Sequence, residues 1–95
     1  MFEVLYHYLV TKEDIPKITS LWKKKIKFAI EERLTTKPDV YGKPLRRSLK
    51  GYRKLRVGDY RVIYRIEGES VKIFVIQHRS IVYETTEKRT QPLGS

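Results

Sequence analysis

Lys54 and Arg56, then Arg61 and Arg65, recur in phase along two apolar stretches joined by Gly58-Asp59. If both stretches are strands, the four cations line one surface. They belong to a denser run. Nine basic residues stand between Lys43 and Ile66 (Lys43, Arg46, Arg47, Lys50, Arg53, Lys54, Arg56, Arg61, Arg65), against one acid, Asp59. That segment contributes eight of the formal net charge of +10, because the flanks are nearly balanced. Guanidinium groups stay charged and match a phosphate with two parallel hydrogen bonds. A cationic field this local draws polyanions, of which nucleic acid is the commonest.

The rest of the composition narrows the setting. Ninety-five residues are enough for one domain with a modest core, read here as residues 1–90 followed by a disordered tail, 91–95. There is no cysteine, which excludes disulfides and thiolate metal sites and fits a reducing cytoplasm. With only two histidines, His7 and His78, no zinc site and no cofactor are expected. No apolar run approaches the roughly 18–20 residues that span a bilayer. The start, Met1-Phe2-Glu3-Val4, lacks the regions of a signal peptide.

The elements that position these cations follow from periodicity. Phe2 to Leu9 alternates and reads as a strand. Thr11 or Asp14 is a candidate cap for a short helix, with Pro16 in its first turn. A second helix begins after Thr19 or Ser20, with Trp22, Ile26, Ala29, Ile30 and Leu34 on one apolar face. Its lysines, Lys23, Lys24 and Lys27, read as a solvated face. Thr35 to Asp39 ends it, and Tyr41-Gly42-Lys43-Pro44 reads as a loop. Three strands follow: Tyr52–Val57, Tyr60–Ile66 and Val71–His78, with turns at Gly58-Asp59 and Glu67–Ser70. The expectation is an α+β domain: an N-terminal strand and two helices packed on one face of a small, mainly antiparallel sheet of about four strands.

A two-residue turn sets register. Val57 should face Tyr60, Arg56 Arg61, Leu55 Val62, and Lys54 Ile63. Leu55, Val57, Tyr60, Val62 and Tyr64 then share the core face, and Lys54, Arg56, Arg61 and Arg65 the other. If Ile66 pairs with Val71, then Val71, Ile73 and Val75 join the core, and Lys72, Phe74, Ile76 and His78 join the basic face. Arg56 opposite Arg61 is a like-charge pair, which costs roughly 0.2–1 kcal/mol. Local rules broken this way are expected at functional sites. Tyr52, Tyr60, Tyr64, Trp22 and His7 read as structural.

The stretch from Gly42 to Tyr83 resembles the RelE/ParE toxin superfamily. The matching text is Gly42-Lys43-Pro44-Leu45-Arg46, then Leu49 through Tyr64 with Lys54-Leu55-Arg56-Val57-Gly58-Asp59-Tyr60-Arg61 at its centre. It closes with Ile76-Gln77-His78-Arg79-Ser80-Ile81-Val82-Tyr83. The superfamily's order of one strand, two helices and three strands agrees. The resemblance implies a toxin of a toxin–antitoxin pair, and in the RelE branch an endoribonuclease (mRNA interferase) that cuts mRNA in the ribosomal A site. It carries Lys54, Arg56, Arg61, Arg79 and Tyr83 onto the family's catalytic positions, with His78 matching a histidine found in many members. Gln77 stands where a glycine often precedes that histidine, and Ser80 where a second arginine is common.

Such cleavage needs a base for the 2′-hydroxyl, cations for the phosphorane and an acid for the leaving oxygen. Arg61 and Arg56 suit the phosphorane. His78 suits proton transfer, Tyr83 could orient a base or move a proton, and Lys54 could serve if its cationic neighbours lower its pKa. Arg46, Arg47, Lys50, Arg53, Arg65 and Lys72 are expected to hold RNA. No metal is required. The implied partners are mRNA, the ribosome and a cognate antitoxin with acidic segments that wraps the toxin. Phe74, Ile76 and the outer side of the second helix are candidate docking points for it. Alone the chain is expected to be monomeric; with antitoxin it is expected to form a hetero-oligomer. Two other readings stand beside this one: a ParE-like inhibitor of DNA gyrase without nuclease activity, and a basic nucleic-acid-binding module.

Overall fold

The computed structural model describes residues 1–90; the expected tail, 91–95, lies outside them. Five strands form one sheet: β1 (Glu3–Tyr6), β2 (Lys43–Pro44), β3 (Arg53–Val57), β4 (Tyr60–Glu67) and β5 (Ser70–His78), in the order β1-β5-β4-β3-β2. The fifth strand comes from the expected loop at Tyr41–Pro44, where Lys43 and Pro44 pair antiparallel with Lys54 and Arg53. β1 joins the far edge parallel to β5.

β1 is shorter than the apolar run that marks it. His7 turns the chain: its Nδ1 accepts the Leu9 N–H at 3.2 Å and its carbonyl accepts the Val10 N–H at 2.9 Å. Helical turns at Val10–Asp14 and Ile15–Lys17 follow, with Pro16 in the first positions of the second. Neither expected cap acts as one. Thr11 donates to the Tyr8 carbonyl, and Asp14 is buried. The first long helix, α1 (Ser20–Ala29), starts after extended Thr19 and runs on through a wider turn, Ile30–Leu34. Ile26, Ala29, Ile30 and Leu34 are buried and Trp22 packs partly buried against the same core. Thr35 and Thr36 donate their hydroxyls to the carbonyls of Glu31 and Glu32 as the helix ends. A single turn, α2 (Pro38–Tyr41), leads into β2.

The β3–β4 hairpin has the expected register, Val57 to Tyr60 through Lys54 to Ile63. Gly58 takes φ +60, the left-handed value that a tight turn with glycine first requires. The β4–β5 hairpin starts as expected, with Ile66 opposite Val71, and then breaks register. Tyr64 pairs with Ile73 and Ile63 with Val75, so Phe74 is the extra residue of a β-bulge. Alternation reverses beyond it. Val75 leaves the expected core face and buries with Ile63 on the opposite side, whereas Ile76 turns into the main core. His78 now lies opposite Tyr60, and Gln77 opposite Arg61.

A further helix, α3 (Val82–Thr90), was not expected. It covers the middle of the second sheet face, where Val82 packs on Ile63 and Val75 with Leu45, Tyr52, Phe74 and Tyr83 around them. Helical structure therefore covers both faces, not one.

Candidate active site

The hairpin's alternation puts Lys54, Arg56 and Arg61 on the face opposite α1. The start of α3 then brings Tyr83 to them. Lys54 Nζ donates to Tyr83 Oη at 3.4 Å and lies 5.6 Å from the centre of its ring. Both side chains are half-buried. The like-charge pair is relieved by geometry: Arg61 Nη1 folds back on the turn and donates to the carbonyls of Gly58 and Tyr60, each at 2.9 Å. Exposed Arg56 stays free to project outward.

Two clefts meet at Arg61. One is lined by Tyr41, Lys43, Lys54, Arg56 and Arg61, the other by Arg61, His78, Arg79, Ser80 and Tyr83. All six residues expected at the centre therefore border one cationic groove. His78 arrives there from the strand end, since its register places it against Tyr60, edge to face at 5.9 Å. Its Nδ1 accepts the Ser80 N–H at 3.1 Å and contacts Ser80 Oγ at 2.8 Å. In the neutral ring this puts the proton on Nε2. Arg79 ties the end of β5 to the hairpin turn: its N–H donates to the Asp59 carbonyl at 2.8 Å, and its Nε is 3.7 Å from Asp59 Oδ1. That ion pair is well exposed and holds the side chain weakly. Tyr41, Lys43 and Ser80 also line the groove. Of these, Lys43 was visible only as part of the basic run.

The residues expected to hold RNA divide. Arg46, Arg47 and Lys50 are exposed on the turn before β3, where Arg47 takes a left-handed φ of 57°. Arg65 and Lys72 face each other at the other end of the sheet, about 13 Å from Arg61 along β4 at ordinary strand rise. Arg53 does not reach this surface. It pairs with core-facing Tyr64, and its Nη2 donates to the carbonyls of Asp39 and Gly42, both at 2.7 Å. Its work is to clamp α2 and β2 to the sheet.

Among the described residues, no three His, Asp or Glu side chains stand together as metal ligands. The resolved pKa shifts lie elsewhere. Burial raises Tyr6 and Tyr64, and burial followed by Arg89 lowers His7 against an opposing effect of Asp14.

The fold is one also found in solved toxin–antitoxin complexes. A family model described as the ParE toxin of type II toxin–antitoxin systems matches residues 2–83. This chain belongs to that family, within the RelE/ParE superfamily. Toxin RelG of Mycobacterium tuberculosis is 42% identical over 60 residues, covering 61% of this chain and 68% of RelG. The crystal structure of the toxin–antitoxin complex RelBE2 from the same organism matches with a TM-score of 0.69 and 31% identity, over 83% of this chain and 92% of the matched one. The RelB–RelE antitoxin–toxin complex of Methanococcus jannaschii matches in fold, with a TM-score of 0.67 at 22% identity, over 85% of this chain and 96% of that one.

Proposed function

We propose that this toxin is an endoribonuclease that cuts mRNA in the ribosomal A site and is held in check by a cognate antitoxin. The observation that carries the reading is the contact between Lys54 and Tyr83 beside Arg56, Arg61 and Arg79 in one groove. The 2′-hydroxyl of the substrate passes its proton to solvent water as its oxygen attacks the adjacent phosphorus, and the 5′-oxygen of the next nucleotide leaves. The products are a 2′,3′-cyclic phosphate and a 5′-hydroxyl. Arg61 and Arg56 carry the charge of the phosphorane. Lys54 and Tyr83, already in contact, bind and orient the attacking ribose. His78, which shares a cleft with Tyr83, acts in its imidazolium form: Nδ1–H donates to Ser80 Oγ, and the Nε2 proton passes to the leaving oxygen. This chemistry calls on no metal. Arg46, Arg47 and Lys50, exposed beside the groove, hold the RNA backbone or ribosomal RNA.

The antitoxin is read from the relatives solved as toxin–antitoxin complexes. An acidic segment suits a surface carrying eight surplus charges between residues 43 and 66. The site of action is the cytoplasm, where translating ribosomes are.

The ParE name of the matching family model favours a second reading, inhibition of DNA gyrase by binding alone. One assay separates the two. The purified chain is added to ribosomes stalled with a defined codon in the A site, and the mRNA is mapped by primer extension. Cuts within that codon, absent with Arg61→Ala, support the nuclease. Intact mRNA together with trapped gyrase–DNA complexes would replace it with the gyrase reading.

A further inference from the structure

The cationic sheet face carries a second feature that the proposed reaction does not use. Aromatic rings follow one another across the strands. Tyr52 packs on Phe74 at 5.1 Å with a 33° tilt, and Phe74 meets His7 edge-on at 5.1 Å. His7 in turn stacks on Tyr8 at 4.8 Å. The β-bulge creates this row, since Phe74 is the residue it turns out of register. Arg65 lies over the Tyr52 ring at 5.8 Å, and Lys72 stands directly across from Arg65. His7, Tyr52, Phe74, Arg65 and Lys72 together line a cleft of about 320 Å³ that reaches from β1 to β4. Ile63, Val75 and the start of α3 separate it from the groove of Lys54 and Tyr83.

The cleft joins flat apolar surface to cations, which is the chemistry that holds a nucleobase and its phosphate. Glu67 shows that both cations reach one anion: its carboxylate lies 3.1 Å from Lys72 Nζ and 3.4 Å from Arg65 Nε. These pairs are half-exposed and easily exchanged. Burial lowers the His7 pKa, so its ring adds an uncharged face at neutral pH.

We propose that this cleft is a second RNA-contact site. A single-stranded nucleotide stacks its base on the Tyr52–Phe74 pair and sets its phosphate between Arg65 and Lys72, displacing Glu67. The nuclease reading supplies the ligand class, but the test does not require cleavage.

Anisotropy of a short, labelled single-stranded RNA is measured with the full chain and no ribosomes. The double variant Arg65→Ala, Lys72→Ala should weaken binding about tenfold or more. The charge-matched control Lys23→Ala, Lys27→Ala, on exposed positions of α1, should do much less. Glu67→Gln removes the competing carboxylate and should tighten binding, more than Glu31→Gln does. RNA carrying 5-iodouridine should crosslink to peptides containing Tyr52 or Phe74. Equal losses in the two double variants, or crosslinks confined to Tyr83, would overturn the proposal. A chain that passes these tests yet never cuts mRNA keeps this site and loses the nuclease reading. One that cuts normally but fails them does the reverse.

Discussion

Asp14 and Arg89, 75 positions apart, form a buried two-pronged ion pair, Nη1 to Oδ2 and Nη2 to Oδ1, both at 2.9 Å. β1 ends at Tyr6, so the outer edge of β5 has no strand partner beyond Ile73. Asp14 takes that place. Its Oδ2 accepts the Ile76 N–H and its Oδ1 the Gln77 side-chain amide, each at 2.9 Å. Arg89 also donates to the Phe74 carbonyl in the bulge. One pair therefore seals the sheet edge, anchors the bulge and docks α3, the helix whose first turn carries Tyr83.

Arg89→Ala leaves the Asp14 carboxylate buried without its counter-charge, a change expected to cost about 3–5 kcal/mol. Guanidinium denaturation reads it as a lower midpoint. The paired replacement Asp14→Leu, Arg89→Met should recover only part of the loss: no buried charge then remains, but the Ile76 N–H and the Phe74 carbonyl lose their partners. A single variant as stable as the parent would show that the pair is not what holds α3.

Gly42 lies under the Tyr64 ring, and a Cβ there would fall on the Tyr64 hydroxyl, which donates to the Pro38 carbonyl. Gly42→Ala must push that buried ring aside. The expected loss is about 1–3 kcal/mol, as for overpacked cores. At roughly 4–8 °C per kcal/mol for a domain of this size, calorimetry resolves it easily.

Arg53→Ala separates structure from RNA contact. It leaves the carbonyls of Asp39 and Gly42 without their donor, which should lower stability by about 1–3 kcal/mol. RNA affinity should fall no further than for loss of any one surface lysine. A large, selective loss of RNA binding in a stable Arg53→Ala protein would return this residue to the interface.

The pH dependence has a definite sign at each end. His7 has its pKa lowered, first by burial and then by Arg89. As pH falls through about 6.5, the unfolded chain takes up this proton before the folded one does. The stabilisation present above that pH is therefore lost on acidification, and His7→Gln should flatten the slope below pH 6.5 in urea melts. Tyr64 has its pKa raised by burial. Its stabilisation is present below about pH 10 and is lost as pH rises beyond.

At the groove, Arg61→Ala should reduce the cleavage rate about 10²–10³-fold, as for loss of one group stabilising the transition state, and Lys54→Ala about 10²-fold, as for a misplaced substrate. Thermal midpoints should change little, because neither side chain packs in the apolar core. Tyr83→Phe keeps the ring over Lys54 and removes only the hydroxyl. A rate near that of the parent would assign Tyr83 to stacking, whereas a loss like that of Lys54→Ala would assign its oxygen to the chemistry.

The sequence alone determined whatever depended on short-range pattern. The phase of Trp22, Ile26, Ala29 and Ile30 marked α1, and Gly58-Asp59 set the pairing of β3 with β4, because a two-residue turn leaves the strands no other register. With that register came the shared face of Lys54, Arg56 and Arg61. Tertiary structure decided the rest. The bulge at Phe74 depends on what each side of the sheet must bury, so the step that moved Val75, Ile76 and His78 to new faces left no local trace. Only Val82 and Thr86 of α3 are fully buried, too thin an apolar stripe to announce a helix. It is held instead by a carboxylate near the other end of the chain, and pairing across 75 positions is a property of the folded molecule.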